Sequence, residues 1–120
     1  MRIAKILAAL AILATPGPAF AAEEVSVERG RLVSIIGSCH GCHTDGYSEA
    51  EGAIDPTKAL KGKAIGWRGP WGTTYANNLR WSVRELSEDG FVTYIKTLRT
   101  LPPMPWYNVR AMPESDIRSF

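Results

Sequence analysis

The chain has 120 residues and 13.1 kDa, 45% hydrophobic and 22% charged, which confines it to one small domain. Arg2 and Lys5 precede an unbroken apolar run from Ile6 to Leu13; Pro16, Gly17 and Pro18 then break any helix, and Ala19-Phe20-Ala21 offers a small-x-small cleavage site. This reads as a secretory signal peptide over residues 1–21, too short and wrongly flanked for a membrane span, with residues 22–120 as the mature domain. Removing Arg2 and Lys5 lowers the basic count from 14 to 12, equal to the 12 acidic residues, so the mature net charge is zero rather than +2. Charge and compartment together exclude nucleic acid as a partner, and no membrane span remains after cleavage.

A mature chain of 99 residues rich in Gly and Pro needs a staple of some kind. Secretion permits disulfides. Yet the only cysteines are Cys39 and Cys42, and a bridge closing so short a loop restricts the unfolded chain very little. Their stabilising role, if any, is to hold something else.

Glu24 to Gly37 reads as a helix, with Val25, Leu32, Val33 and Ile36 roughly on one stripe and Glu23, Glu24 and Glu28 near its positive N-terminal end. Gly30 inside it is either a tolerated defect costing about 1 kcal/mol or the place where another helix crosses closely. From Thr44 to Arg80 no periodicity holds. Asp45-Gly46, Asp55-Pro56, Gly62, Gly66, Gly69-Pro70 and Gly72 punctuate it, with room for a short helical turn around Pro56 to Leu60. A structureless stretch this long is expected in a compact domain only where it wraps a ligand.

Order returns with Ser82 and Glu85 at capping-box spacing and Ser87 as a second candidate N-cap. Phe91, Ile95 and Leu98 follow at helical spacing, with Lys96 and Arg99 in the last turn. Leu101 to Pro105 must be extended, because its three prolines remove donors and restrict their predecessors. A final helix begins at Pro113, with Glu114 and Asp116 in its first turn, and reaches only Phe120. No strand pattern of any strength is present. The expected class is all-α: three to four helices and long loops.

Cys39-His40-Gly41-Cys42-His43 is C-x-x-C-H, the attachment sequence of a c-type haem. Two thiols at this spacing can add to the two vinyl groups of one haem, and the histidine that follows supplies the proximal iron ligand. A structural zinc site needs four tetrahedral ligands, and both Cys and both His lie within five consecutive residues with no second pair elsewhere. A redox dithiol needs a βαβ setting that the surroundings lack. His40 reads as exposed and unliganded. For the sixth iron position the soft thioethers of Met104 and Met112 are the candidates, with an open site as the alternative. Met104 stands in the Pro102-Pro103-Met104-Pro105 run, where stiff backbone can present a sulfur without relying on helix packing; the competing reading is a Met that fills a gap in the core.

From Val27 to Ile117 the chain resembles the single-haem class I cytochromes c, close to the periplasmic cytochrome c subunits that serve bacterial dehydrogenases. The resemblance is carried by Gly30-Arg-Leu-Val, Cys39-His-Gly-Cys-His-Thr44, Gly72-Thr-Thr-Tyr-Ala-Asn-Asn-Leu79, Pro102-Pro-Met-Pro-Trp106 and Met112-Pro-Glu-Ser-Asp-Ile117. It implies a small cytochrome c fold around one covalent haem, with Met104 as the distal ligand and Gly30 at a close crossing of the first and last helices. The family's last helix runs two or three turns further, so the sequence reads as a fragment of a longer chain.

Trp67, Trp71, Tyr75, Trp81 and Trp106 read as walls of a haem pocket. Arg68, Trp71 and Arg80 are candidate partners of the haem propionates. The acidic stretch from Glu49 to Asp55 and the lysines Lys58, Lys61 and Lys63 read as solvated loop.

A haem bound by both His43 and Met104 has no coordination site for substrate. The expected function is therefore periplasmic electron transfer, between a dehydrogenase donor and an oxidase or other acceptor, rather than catalysis by the chain alone. Zero net charge makes long-range steering weak. The alternatives are a fixed haem subunit of a larger dehydrogenase and an open-site haem protein binding small gases or peroxide.

Overall fold

A computed structural model describes residues 24–120; the signal peptide expected over residues 1–21 lies outside the described residues. Among the described residues there are six helices: α1 (Val27–Ile36), α2 (Cys39–His43), α3 (Leu79–Val83), α4 (Glu88–Thr97), α5 (Trp106–Ala111) and α6 (Glu114–Ser119). A two-stranded antiparallel sheet, β1 (Gly66–Gly69) and β2 (Gly72–Tyr75), lies between α2 and α3. The all-α expectation of three to four helices is therefore corrected to a mixed structure, weakly so, in which helices dominate. Each strand has only four residues and three of the eight are glycines, too little for apolar alternation to register. The register pairs Gly66 with Tyr75 and Trp67 with Thr74, and Pro70 and Trp71 form the connection. Gly72 closes that turn at φ 100°, a left-handed conformation open to glycine.

Helix ends follow side-chain chemistry. The hydroxyl of Ser26 accepts from the Arg29 amide at 3.1 Å and starts α1 three residues later than expected. Asn78, rather than Ser82, caps α3 by accepting from the Trp81 amide, and Ser87 caps α4 by accepting from the Gly90 amide. Ser82 instead turns its hydroxyl back onto the Asn78 carbonyl, a contact available only inside the helix. The short turn expected near Pro56 is a 3₁₀ turn over Pro56–Lys58, with Asp55 accepting from the Thr57 amide.

The core joins α4 and α6. Ile95, Leu98 and the fully buried Ile117 form its centre, with Phe91, Val92, Trp106, Val109 and Met112 packed around them. The first and last helices cross at Gly30. A Cβ built there would stand 1.9 Å from the Ser119 carbonyl oxygen, so only glycine admits the approach. Arg29 clamps the same crossing, with Nε and Nη2 donating to the two Asp116 carboxylate oxygens at 2.6 and 3.1 Å. Of the stripe expected on α1, Val33 alone is buried; Val25, Leu32 and Ile36 are exposed, because the buried face of the helix is the one that carries Gly30, Val33 and Ser34.

Candidate functional site

The chain enters α2 through Ser38, which takes a left-handed φ of 57° and turns sharply out of α1. Within α2, positions 39, 42 and 43 are spaced i, i+3, i+4 and so share one face. Both thiols on that face are free and half-buried. Burial, reinforced by the neighbouring Cys42, pushes the Cys39 thiol above its ordinary value against an opposing backbone hydrogen bond.

His43 is buried, and its Nδ1 lies 2.9 Å from the Asn77 carbonyl oxygen. A carbonyl can only accept, so Nδ1 carries the proton and Nε2 keeps its lone pair. An imidazole oriented through Nδ1 by a backbone carbonyl is the usual preparation of a metal ligand at Nε2.

The chain fixes the Asn77 carbonyl by sandwiching residues 60–63 between α2 and residues 76–79. The Gly62 amide donates to the His43 carbonyl at 2.8 Å, the Lys63 amide to Ala76 at 3.2 Å, and the Leu79 amide to Leu60 at 2.9 Å. Gly62 stands at φ 88°, and a Cβ there would lie 2.8 Å from the Ala76 oxygen and 3.0 Å from the Asn77 carbonyl carbon. Both the backbone conformation and the space require glycine.

Thr74 joins the proline run to the same segment. Its hydroxyl donates to the Pro102 carbonyl at 2.6 Å. Three residues of extended chain reach at most about 11 Å, so the contact to His43 at Asn77 and the contact to the Met104 run at Thr74 hang from one short stretch. Met104 is half-buried outside the core cluster, whereas Met112 packs within it. The two thioethers are thus separated by environment: Met112 fills the core and Met104 does not. Trp106, next to the run, carries the guanidinium of Arg99 over its ring at 4.7 Å.

The other expected residues are dispersed. Arg68 is exposed on β1, and Trp71 sits at the hairpin tip with its ring against Gly69. Arg80, on α3, donates from Nη2 to the Pro56 carbonyl at 2.6 Å. A cavity of about 420 Å³ is lined by Arg80 together with Arg31, His40 and Tyr47, but by none of Cys39, Cys42, His43 or Met104. Arg80 is therefore brought to a different surface from the thiols. The expectation of an exposed His40 is corrected: it is buried, held between Ser34 and Thr44 and stacked on Tyr47. Two positions before Cys42, His40 points to nearly the opposite side of α2 from that thiol and turns inward to Ser34 of α1.

No individual role for Asn77, Gly62, Thr44 or Thr74 is legible in the sequence. A backbone carbonyl has no residue signature, and Gly62 reads as one turn glycine among many.

These residues fit a covalent haem. Two thiols and an Nε2 lone pair share one helix face, and a thioether in a stiff run is tied to the segment that orients the imidazole. Among the described residues no three His, Cys, Asp or Glu side chains cluster to hold an ion. Comparison with protein-family models, curated proteins and solved structures found no match.

Proposed function

We propose that the chain is a c-type cytochrome that carries single electrons in the periplasm, between a dehydrogenase and a terminal acceptor. The carrying observation is His43: buried, protonated at Nδ1 by its bond to the Asn77 carbonyl, and on one helix face with Cys39 and Cys42. When bound, the haem supplies one-electron cycling of iron.

The chain's own residues set how that cycling proceeds. Cys39 and Cys42 provide the two covalent anchors, so the group stays with the protein through both oxidation states. His43 presents Nε2 in a fixed plane, and the Asn77 carbonyl increases the basicity of that nitrogen through the Nδ1 proton. Met104 offers a neutral soft sulfur, which favours the reduced metal and raises the potential. Large apolar side chains outside the core, Ile36, Ile65, Trp71, Tyr75 and Trp81 among them, are exposed in the polypeptide and are the material from which an apolar haem environment is built.

Expression with residues 1–21 in a host that attaches haem to C-x-x-C-H tests the reading. Covalent haem that survives acidified organic solvent is expected in the wild type and absent after Cys39→Ser with Cys42→Ser. Recovery of the wild-type chain without covalent haem would overturn it.

A further inference from the structure

Beside the candidate ligand lies a buried polar chain in which the Ser34 bond fixes one ring hydrogen of His40. The Ser34 hydroxyl donates to the Arg31 carbonyl at 2.7 Å, which uses its only proton. Toward His40 Nε2, 3.0 Å away, Ser34 can therefore only accept, so Nε2 carries a hydrogen. At the other end of the ring, Thr44 Oγ1 receives the Leu60 amide at 2.8 Å and lies 2.8 Å from His40 Nδ1. With Nδ1 unprotonated, the Thr44 hydroxyl donates to it, and all groups are satisfied in one direction from Leu60 through Thr44, His40 and Ser34 to Arg31. Thr44 is 0% and Ser34 3% exposed, so water cannot readily substitute. Tyr47 stacks on the His40 ring at 4.7 Å and 16°, fixing its plane.

The chain ends on the element that orients His43. Leu60 accepts the Leu79 amide through its carbonyl, Asn77 lies two residues before Leu79, and the Asn77 carbonyl holds His43. Thr44 follows His43 directly. A closed circuit thus runs from His43 through Thr44, Leu60 and Leu79 to Asn77 and back.

We infer that His40 is a positioning residue, a neutral imidazole protonated at Nε2 whose Nδ1 takes the Thr44 hydroxyl and leaves the Thr44 oxygen to receive the Leu60 amide that closes the circuit around His43. The consequence for a ligand rests on the proposed role of His43; the tautomer and the circuit do not. Burial, with the Arg31 charge adding, lowers the proton affinity of the ring, in keeping with its neutral form.

Nitrogen-15 NMR of the reduced holoprotein reads the tautomer of both histidines, and amide exchange reads the circuit. His40 is expected as the Nε2–H tautomer. His40→Phe keeps a ring against Tyr47 but removes both nitrogens, and the Leu60 amide and the His43 Nδ1 proton are expected to exchange about five- to tenfold faster. His40→Asn, which returns an acceptor near the Nδ1 position, restores slow exchange, a rescue that filling space alone does not explain. Thr44→Val gives the same acceleration and serves if His40→Phe does not fold. An Nδ1–H or doubly protonated His40 at neutral pH overturns the inference, as does unchanged exchange in the variants. The His43 signals separate the parent reading: no iron-bound Nε2 signature sinks the haem proposal while the His40 tautomer and Leu60 exchange are judged on their own, on the haem-free chain if no haem attaches.

Discussion

Replacing Gly30 by alanine tests how α1 and α6 are held together. The new Cβ would lie 1.9 Å from the Ser119 oxygen, 2.6 Å from its carbonyl carbon and 3.2 Å from the Phe120 Cα. Ordinary contact begins at 3.4 Å, so α6 must retreat by about 1.5 Å, and these are backbone atoms that no rotamer change can move. The retreat stretches the 2.6 and 3.1 Å bonds between Arg29 and Asp116 past hydrogen-bond reach and loosens the bond from the Ser26 amide to Ser119 Oγ. Overpacking costs about 1–3 kcal/mol, and losing hydrogen bonds to a charged group about 1.5–3 kcal/mol. Helix propensity returns about 1 kcal/mol. The net loss is about 3 kcal/mol, which in a domain of this size lowers Tm by about 12–24 °C. Thermal unfolding of the holoprotein followed by circular dichroism measures it, with Gly41→Ala as a control because a Cβ there meets nothing within 4 Å. A Gly30→Ala variant that melts with the wild type, or above it, would refute the close-crossing account.

Gly62→Ala forces a side chain into φ 88° and against the Asn77 carbonyl carbon, so it weakens the bond to His43 Nδ1; a less basic ligand favours ferrous iron, and potentiometry is expected to show a more positive midpoint. Met104→Ala abolishes the weak far-red band of a Met-bound ferric haem and opens the reduced protein to carbon monoxide. Met112→Ala leaves that band intact but costs about 2 kcal/mol in denaturant melts, because Met112 packs on the Ile95–Leu98–Ile117 core. His40 titrates below its ordinary value, so the unfolded chain takes up that proton first as pH falls. Stability is full above the unfolded pKa of about 6.5 and declines below it; melts between about pH 7.5 and 5.5 should show this slope in the wild type and not in His40→Asn.

Several features are legible in the sequence because one residue type in one place is enough. Gly30 inside a helical pattern signals a close crossing, Ser87 a helix start, and Cys39, Cys42 and His43 a C-x-x-C-H motif, though not the short helix that carries it. Other features depend on contacts between distant segments and leave no local trace. The hairpin was hidden because Gly66–Gly69 and Gly72–Tyr75 are short and built around glycines, so pairing rather than propensity makes them strands. His40 misled for a related reason: polar residues are usually outside, and nothing local shows that Ser34 and Thr44 will meet both its nitrogens. The carbonyl of Asn77 is a backbone group whose role follows from where Gly62 and Leu60 fix the chain, not from its side chain.

The central claim is that Cys39, Cys42 and His43 hold a haem whose iron is also bound by Met104. Visible spectra of the purified mature protein, oxidised and reduced, test it most directly when recorded beside the Met104→Ala variant. A c-type reduced spectrum, covalent retention of the haem, and a far-red ferric band lost only in the variant are the predicted result. A wild-type protein without covalent haem, or with a far-red band that survives Met104→Ala, would contradict it.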